Sequence, residues 1–421
     1  MGKEFKVMRK RHSRRTGRYA VGQVIAVVLV VAVLFAAGWF LYEPAYNWVM
    51  GLARPRAEEP EPNQPESSAV EPAPQEPQQA EPTPENWQEE LRAVWIPASA
   101  ASNSTVLESY LAGLPADPVD TVVLELKDAR GRVLYQSAVE EVGLAGAQTD
   151  GAFDLAAATQ LLHQKGYTVL ARLYAFEDST ATAVLEKGKV FYAGTGFGWL
   201  DNSASAGGKA WLNPYAQQAQ DYISKLAAEA LSMGVDGIVL DGVQFPTGYS
   251  LELADYGDTK GVSRPQVLSD FVSRMEELVE SHEGVGCWIY MDAAELYLPE
   301  EMGELGPYGG QAKQVVEGHN LMVNVMPAQF GIGQETGLTL PANPLQNPGE
   351  TVAAVLRGLD LPQDSAMVMP VLQAYTAGDI AMEFNLAYGE EEIDQQVDAA
   401  LEWGAQHVVL YDPSGAYTAL K

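Results

Sequence analysis

The stretch from Gly234 to Pro246, which reads GVDGIVLDGVQFP, carries the strongest information about the fold. A helical pattern stops at Gly234, a turn follows at Asp236, and three aliphatic residues then lead to Asp241. A short apolar run between turn residues is typical of a buried strand in a parallel sheet. An acid inside such a strand is costly unless it is paired or lies in a solvated cavity, so Asp241 is a functional candidate. The alternative is an acid held by a neighbouring cation for structural reasons.

Seven similar runs lie on either side of this strand and alternate with helical patterns. The eight candidate strands are 92–98, 121–128, 168–176, 237–245, 286–294, 321–329, 366–375 and 407–412, and the helical patterns include 153–165, 214–233, 264–281, 348–358 and 390–403. Eight β-then-α units over residues 87–421 predict the α/β class and a (β/α)8 TIM barrel. The alternative, an open doubly wound sheet, lacks support because no Gly-rich phosphate-binding turn follows any strand.

Residues 1–86 have a different character from the barrel. Residues 1–19 hold eight Lys or Arg and one acid, and the 23 residues from 20 to 42 carry no charge. As a helix this segment is roughly 34 Å long, which is enough to cross a bilayer, and the preceding cations place the amino terminus in the cytoplasm. Residues 43–86 are rich in Pro and Glu and predict an extended stalk. We therefore expect a signal anchor with the barrel outside the membrane, and a cleaved signal peptide is the alternative.

The charge and the few metal-binding residue types exclude several classes of function. The formal net charge is -30, and residues 87–421 alone hold 16 bases and 46 acids, which argues against nucleic-acid binding. Cys287 is the lone cysteine, so no disulfide forms within the chain. The five histidines form no zinc-binding pattern, no HExxH motif and no spacing typical of a nucleophile with its base. We expect no metal and no cofactor.

Charged residues within the predicted strands point to an inward cluster. Glu125 and Lys127 are two positions apart and therefore predicted on one face of their strand, and Arg172 lies within the next strand, beside that of Asp241. Buried charges at this density need mutual pairing, so we expect these four side chains to meet inside the barrel. Such a network is either a binding site or a purely architectural feature of the barrel.

Several motifs together resemble those of the glycoside-hydrolase-like (β/α)8 barrel domain family, over most of residues 90–421. The motifs are RAVWI at 92–96, ELKD at 125–128 with Gly131, AR at 171–172 with FED at 176–178, WLNPY at 211–215, DGIVLD at 236–241 with FP at 245–246, Gln373, and SGAYT at 414–418. The resemblance implies a barrel with a carbohydrate-directed site and, for Asp241, the position of the nucleophile in related glycosidases. The chain departs from the family at Gly242 and Gln244, where aromatic and Arg residues are usual, and at Ala374, where an acid is frequent.

Glycoside hydrolysis needs a second carboxyl, about 5–5.5 Å from the first for retention or 6.5–9.5 Å for inversion. Asp292 is our first candidate for the general acid and Glu295 the second, and capping of the following helix is the alternative for both. Substrate-binding candidates are the polar and aromatic residues near the carboxyl ends of the strands, namely Glu125, Lys127, Asp128, Arg172, Asp178, Trp211, Gln244, Gln373, Tyr375 and Asp412. Trp199 and Tyr411 are further candidates for stacking on sugar rings.

The sequence thus favours a membrane-anchored, extracytoplasmic glycoside hydrolase acting on a cell-wall or matrix polysaccharide. Its expected partners are a polysaccharide or oligosaccharide and the membrane, through one N-terminal helix. The alternative is a non-catalytic carbohydrate-binding or envelope-scaffold barrel, which the departures at Gly242, Gln244 and Ala374 suggest.

Overall fold

The structure is a computed structural model that describes residues 91–114, 119–282, 284–297, 303–330, 337–359, 361, 367–378, 380 and 383–420. The predicted basic tail, transmembrane helix and stalk lie outside these residues. Within the described ranges, no helix combines the length and the apolar character that crossing a membrane requires.

Eight parallel strands form a closed barrel, as the sequence predicts. In chain order they are β1 Leu91–Ile96, β2 Thr121–Lys127, β3 Thr168–Tyr174, β4 Gly237–Asp241, β5 Gly286–Asp292, β6 Leu321–Asn324, β7 Val368–Gln373 and β8 His407–Tyr411. Each strand pairs with its neighbours in sequence, and β8 pairs with β1 from Leu91↔His407 onward. The closure excludes the open doubly wound sheet.

Nine α-helices lie in the described residues. They are α1 Ser104–Ala112, α2 Glu140–Ala145, α3 Leu155–Gln164, α4 Gln217–Ser232, α5 Arg264–Glu280, α6 Ala293–Tyr297, α7 Lys313–Val316, α8 Pro348–Gly358 and α9 Glu390–Trp403. The side chains of Asn103, Asp154 and Ser263 accept hydrogen bonds from the first turns of α1, α3 and α5. The helix predicted from residue 214 begins later, because α4 starts at Gln217; the preceding Asn213 side chain donates to the Tyr256 carbonyl and accepts from the Tyr215 backbone N–H.

The inside of the barrel is filled by its own apolar cluster. This cluster comprises Ala93, Trp95, Val123, Leu170, Val239, Trp288, Met322, Met369, Val371 and Val409. The indole of Trp288 fits because two neighbouring strand positions are glycine: a Cβ on Gly286 would lie 2.1 Å, and one on Gly237 2.7 Å, from atoms of its ring. The floor of the barrel is therefore filled by side chains.

Two additions decorate the carboxyl ends of the strands. The short strands Val133–Tyr135 and Gln148–Phe153 follow β2, and Lys127 at the end of β2 pairs with Val133. The segments 177–213 and 247–262, which follow β3 and β4, form what we call the side insertion. It contains the antiparallel pair Phe191–Tyr192 and Ala254–Asp255 and a small core of Val190, Trp199, Trp211 and Leu251.

Candidate active site

An open cavity of about 500 Å³ lies at the carboxyl ends of the strands. Its lining includes polar side chains from five strands or the segments that follow them: Glu125, Arg172, Asp241, Gln244, Asp292, Glu295, Asn324 and Gln329. Aromatic side chains form much of the remaining wall: Trp95, Tyr174, Tyr290, Tyr308, Tyr375 and Tyr411. A cavity of this size with convergent polar groups has the properties of a small-molecule site.

Arg172 organises the charged wall of this cavity. Its Nη1 donates to Oε1 of Glu125 at 2.6 Å, and its Nε donates to Oδ2 of Asp241 at 2.8 Å, with Nη2 bound to the same oxygen. The register explains the meeting, since Glu125↔Arg172 are paired across β2 and β3, and Tyr174↔Asp241 across β3 and β4. The guanidinium carbon also lies 4.8 Å from the ring centroid of Trp95. Arg172 is thus fixed by two carboxylates and an aromatic face.

Lys127 does not join this cluster, contrary to expectation. The pairing of β2 with β3 shifts between Glu125 and Lys127, so one extra residue, Leu126, breaks the alternation of side chains. Lys127 is fully buried, and its Nζ lies 3.0 Å from Oδ2 of Asp178, which is also fully buried. The predicted inward cluster therefore holds for Glu125, Arg172 and Asp241, whereas Lys127 and Asp178 form a separate buried ion pair outside the cavity lining.

The carboxyls of Asp292 and Glu295 enter the cavity from the end of β5. Asp292 Oδ1 accepts a 2.7 Å hydrogen bond from Nδ2 of Asn324, at the end of β6. Glu295 lies in α6, and its Oε2 accepts a 2.7 Å hydrogen bond from the hydroxyl of Tyr308. A backbone N–H of Asp292 also bonds the Glu295 carboxyl, so the helix-capping alternative applies to Glu295 as well. Both acids line the same cavity as Asp241.

Burial raises the pKa of each acid in the cavity, and their neighbours determine how far. For Asp241, burial raises the pKa while the charge and hydrogen bonds of Arg172 oppose the rise. For Asp292, burial and the Asp241 charge raise the pKa against the Asn324 hydrogen bond. For Glu295, burial raises the pKa to about 7, helped by the charges of Asp292 and Asp241 and opposed by Tyr308. A carboxyl with a pKa of about 7 can exchange a proton near neutral pH.

Four other predicted binding residues lie outside the cavity lining: Asp128, Asp412, Trp211 and Gln373. Asp128 accepts hydrogen bonds from the Arg130 and Arg132 backbones and pairs with the Arg132 guanidinium. Asp412 accepts from the Ser414 backbone and hydroxyl and from the Tyr417 backbone. Both acids hold turns that follow barrel strands. In this structure these carboxylates serve the loops rather than the cavity.

Trp211 and Gln373 are also committed to internal contacts. Trp211 is buried in the core of the side insertion together with Trp199. Gln373 is fully buried, and its side chain bonds the backbone of Ala328 and Tyr375. Of the predicted binding residues, Glu125, Arg172, Gln244 and Tyr375 do line the cavity, as does Tyr411.

Four aromatic residues line the cavity but are not among the site candidates from the sequence: Tyr308, Tyr290, Tyr174 and Trp95. Trp95, Tyr174 and Tyr290 each occupy a strand position whose side chain faces inward near the carboxyl end, so alternation along β1, β3 and β5 was the available sign. Tyr308 comes from the segment after α6, where no strand period applies. Its contact with Glu295 depends on the path of that segment and has no local sequence pattern.

A Ser–His–Glu chain lies elsewhere, although no such sequence spacing was evident. His319 Nε2 is 2.9 Å from the Ser269 hydroxyl, and its Nδ1 is 2.9 Å from Oε2 of Glu276. Ser269 lies within α5, where helical hydrogen bonds occupy the nearby backbone N–H groups, so its own backbone supplies no oxyanion donors. We assign these contacts to the attachment of α5 to the segment before β6. No group of three or more His, Cys, Asp or Glu within the described ranges is arranged to hold a metal ion.

Comparison with known proteins gives a family match and a set of more distant structural likenesses. A hypothetical protein from Ruminiclostridium thermocellum ATCC 27405 is 22% identical, over 47% of this chain and 96% of that one, with a TM-score of 0.40. An α-galactosidase from Thermus thermophilus is 14% identical, over 78% and 59% of the two chains, with a TM-score of 0.44. The glycoside hydrolase domain of PelA from Pseudomonas aeruginosa is 16% identical, over 78% and 96%, with a TM-score of 0.36. No curated protein is significantly similar in sequence.

The family match covers nearly the whole barrel. The sequence profile described as "Putative glycosyl hydrolase domain" matches residues 93–417, from β1 to the segment after β8. This range includes all of the barrel except the first two residues of β1, and it includes every residue that lines the cavity. The chain therefore belongs to the putative glycosyl hydrolase domain family.

Proposed function

We propose that this protein is a glycoside hydrolase that cleaves a polysaccharide with paired carboxyls in the barrel cavity. The observation that supports this function is the convergence of Asp241, Asp292 and Glu295 on one open cavity with aromatic walls. Acids on the carboxyl ends of barrel strands are in the position where barrel enzymes carry their chemistry. Two carboxyls in different protonation states are what glycoside hydrolysis requires.

In this proposal Asp241 is the ionised carboxylate, acting as nucleophile or base. Its Oδ2 receives two N–H groups of Arg172, and hydrogen bonds of this kind favour the charged form against the effect of burial. Glu125 shares the same guanidinium and so fixes its position. Removal of Arg172 would leave Asp241 without the charge that keeps it anionic.

Glu295 is the general acid in this proposal, in preference to Asp292. Its pKa of about 7 leaves a large protonated fraction near neutral pH, and the Tyr308 hydroxyl orients the carboxyl. Asp292 is held by the Asn324 amide, a donor that favours its charged form. Asp292 is then a polar contact for substrate.

We also propose that the barrel works outside the cell, anchored by residues 20–42 and carried on the stalk of residues 43–86. The support is the uncharged segment behind a basic tail, together with a Pro/Glu-rich linker. The acidity of residues 87–421 suits neutral or cationic glycans better than anionic ones.

The test is an activity screen of the full chain on a panel of neutral and amino-sugar polysaccharides, with products separated by chromatography. Asp241→Asn and Glu295→Gln should each lower hydrolysis by at least about 100-fold. Asp128→Asn, an acid outside the cavity, serves as the matched control. Hydrolysis that survives Asp241→Asn at the original rate would remove Asp241 from the mechanism.

A second candidate is a carbohydrate-binding barrel without hydrolysis. It is favoured by Ala374, which is fully buried after β7 where the resembled family frequently has an acid, and by the commitment of Gln373 to internal hydrogen bonds. Retention of a glycan by the full chain, with no product formed, would support this function instead.

A further inference from the structure

Two aromatic rings project from the side insertion into solvent. Phe197 is 75% exposed and Tyr249 is 71% exposed, the highest values among the large apolar side chains of the described residues. Leu253, in the same insertion, is 46% exposed. Single exposed apolar residues are ordinary on protein surfaces, whereas exposed apolar groups that share one surface are typical of an interaction site.

The backbone that carries these rings is held in place. The Phe197 carbonyl accepts a 2.8 Å hydrogen bond from the Tyr192 backbone, and the Phe197 N–H donates to the Thr195 hydroxyl at 3.1 Å. The Tyr249 N–H donates to the Asp201 carbonyl at 2.9 Å. The indole of the buried Trp199 donates to the Ser250 carbonyl at 3.1 Å. The two rings are therefore presented by ordered backbone, which lowers the entropic cost of binding.

Hydrogen bonds connect the side insertion to the rim of the cavity through Ala175 and Phe176, the two residues that precede it. The Ala175 N–H donates to the Asp241 carbonyl at 2.6 Å, and the Phe176 N–H donates to the Gly242 carbonyl at 3.2 Å. The Phe176 carbonyl in turn accepts from Leu212 of the insertion at 3.1 Å. Glu177, the next residue, feels the charges of both Asp201 and Asp241. The side insertion, which carries Phe197 and Tyr249, and the cavity thus lie at the same end of the barrel.

We propose that Phe197 and Tyr249 form a second carbohydrate-binding surface, which holds the polysaccharide chain where it continues beyond the cavity. This inference rests on the proposed function, because its occupant is the same polymer that enters the cavity. A cavity of about 500 Å³ accommodates only a short part of a long glycan, so the remainder crosses the rim. Flat aromatic faces suit the apolar faces of sugar rings, and they do so without requiring charge.

The surface is tested by binding of the full chain, carrying Asp241→Asn to prevent turnover, to insoluble chitin, chitosan, cellulose and β-1,3-glucan. Phe197→Ala/Tyr249→Ala should weaken retention by the bound polymer about tenfold, since each lost ring contact is worth a few-fold. Binding of a two- or three-sugar fragment of the same polymer, which the cavity alone accommodates, should stay within twofold. Val106→Ala/Leu401→Ala removes two exposed apolar side chains from α1 and α9 and is the matched control.

Several outcomes would overturn the proposal. One is unchanged polymer retention in the double variant, and another is an equal loss for polymer and short fragment. A third is a change in self-association alone, measured by sedimentation velocity, and a fourth is the absence of retention by every polymer in the set. Failure of the proposed function is distinguishable, because hydrolysis by the Asp241-containing chain would then be missing while ring-dependent retention persists.

Discussion

Replacement of Arg172 by methionine tests whether the charged wall of the cavity is held together electrostatically. Arg172 is only 15% exposed and contacts Glu125, 28% exposed, and Asp241, 8% exposed. Two unit charges about 4 Å apart attract by about 4 kcal/mol at an effective dielectric constant of 20. Part of this attraction is offset because the variant no longer has to bury the guanidinium. Removal of one partner of a buried ion pair costs about 3–5 kcal/mol, and we expect the low end, about 3 kcal/mol, because Glu125 can reach water.

The penalty of Arg172→Met should depend on pH in a defined direction. Burial already raises the pKa of Asp241 above its ordinary value, and loss of the opposing Arg172 charge raises that pKa further. An acid whose pKa is higher in the folded state than in the unfolded state destabilises the fold progressively as pH rises above the unfolded value, near 4. The variant should therefore lose the full amount at pH 7 and less than half of it at pH 4.

Urea denaturation followed by tryptophan fluorescence at pH 4, 5.5 and 7 measures this difference. Arg132→Met is the matched control, because Arg132 is 52% exposed in its ion pair with Asp128 and should contribute at most about 1 kcal/mol. An Arg172→Met penalty that is the same at pH 4 and pH 7 would contradict the electrostatic origin. It would instead assign the loss to packing against Trp95.

Three other changes give separate results. Tyr308→Phe removes a hydrogen bond that favours ionised Glu295, so the pKa of Glu295 should rise above about 7, and the decline of kcat/KM at high pH, measured on a cleaved glycan, should move to higher pH. A shift to lower pH, or no shift, would argue against Glu295 as the acid. Lys127→Met should destabilise the fold by about 3–5 kcal/mol because it leaves the buried carboxylate of Asp178 without its ion-pair partner, while kcat of the folded fraction stays the same. An equal loss of stability in the double variant Lys127→Met/Asp178→Leu would refute the explanation by an uncompensated charge. Gly131→Ala should lower stability by more than about 2 kcal/mol, since its Cβ would lie 1.8 Å from Asp178 Oδ1. Gly146→Ala, which has open space around the new Cβ and a similar positive φ, should cost about 1–2 kcal/mol, and equal urea midpoints for the two variants would rule out the steric cause.

The barrel itself could be predicted from the sequence because each strand has a local pattern of apolar residues between turn residues. A short apolar run such as that of β4, bounded by Gly234 and Asp241, needs no knowledge of the remaining chain. Seven of the eight strands lie within the predicted ranges, and β1 begins one residue earlier than predicted, at Leu91. Asp241 and Asp292 could be selected because an acid at a strand end is unusual, and Glu295 because it follows the end of β5 by three residues.

The division of charges within the site could not be predicted. The two-residue period places Glu125 and Lys127 on one face, but the irregularity at Leu126 separates them, and the sequence around Leu126 carries no sign of it. Similarly, Asp178 has the appearance of a strand-end site residue, yet its partner is decided by where Lys127 points. Local patterns thus identify which acids are unusual, while pairwise geometry decides which of them face the cavity.

Closure of the barrel also bears on how the chain is made. β1 acquires its second neighbour only when β8 is present, and the contact of the Tyr417 hydroxyl with the Trp95 carbonyl joins residues 322 positions apart. At about 5–20 residues per second, synthesis of the intervening chain takes roughly 15–65 s. During that interval one edge of β1 remains unpaired and able to associate with other strands. The last strand therefore ends a period of exposure to aggregation, and slow translation or a weakened β8 should reduce soluble yield before any loss of stability is measurable.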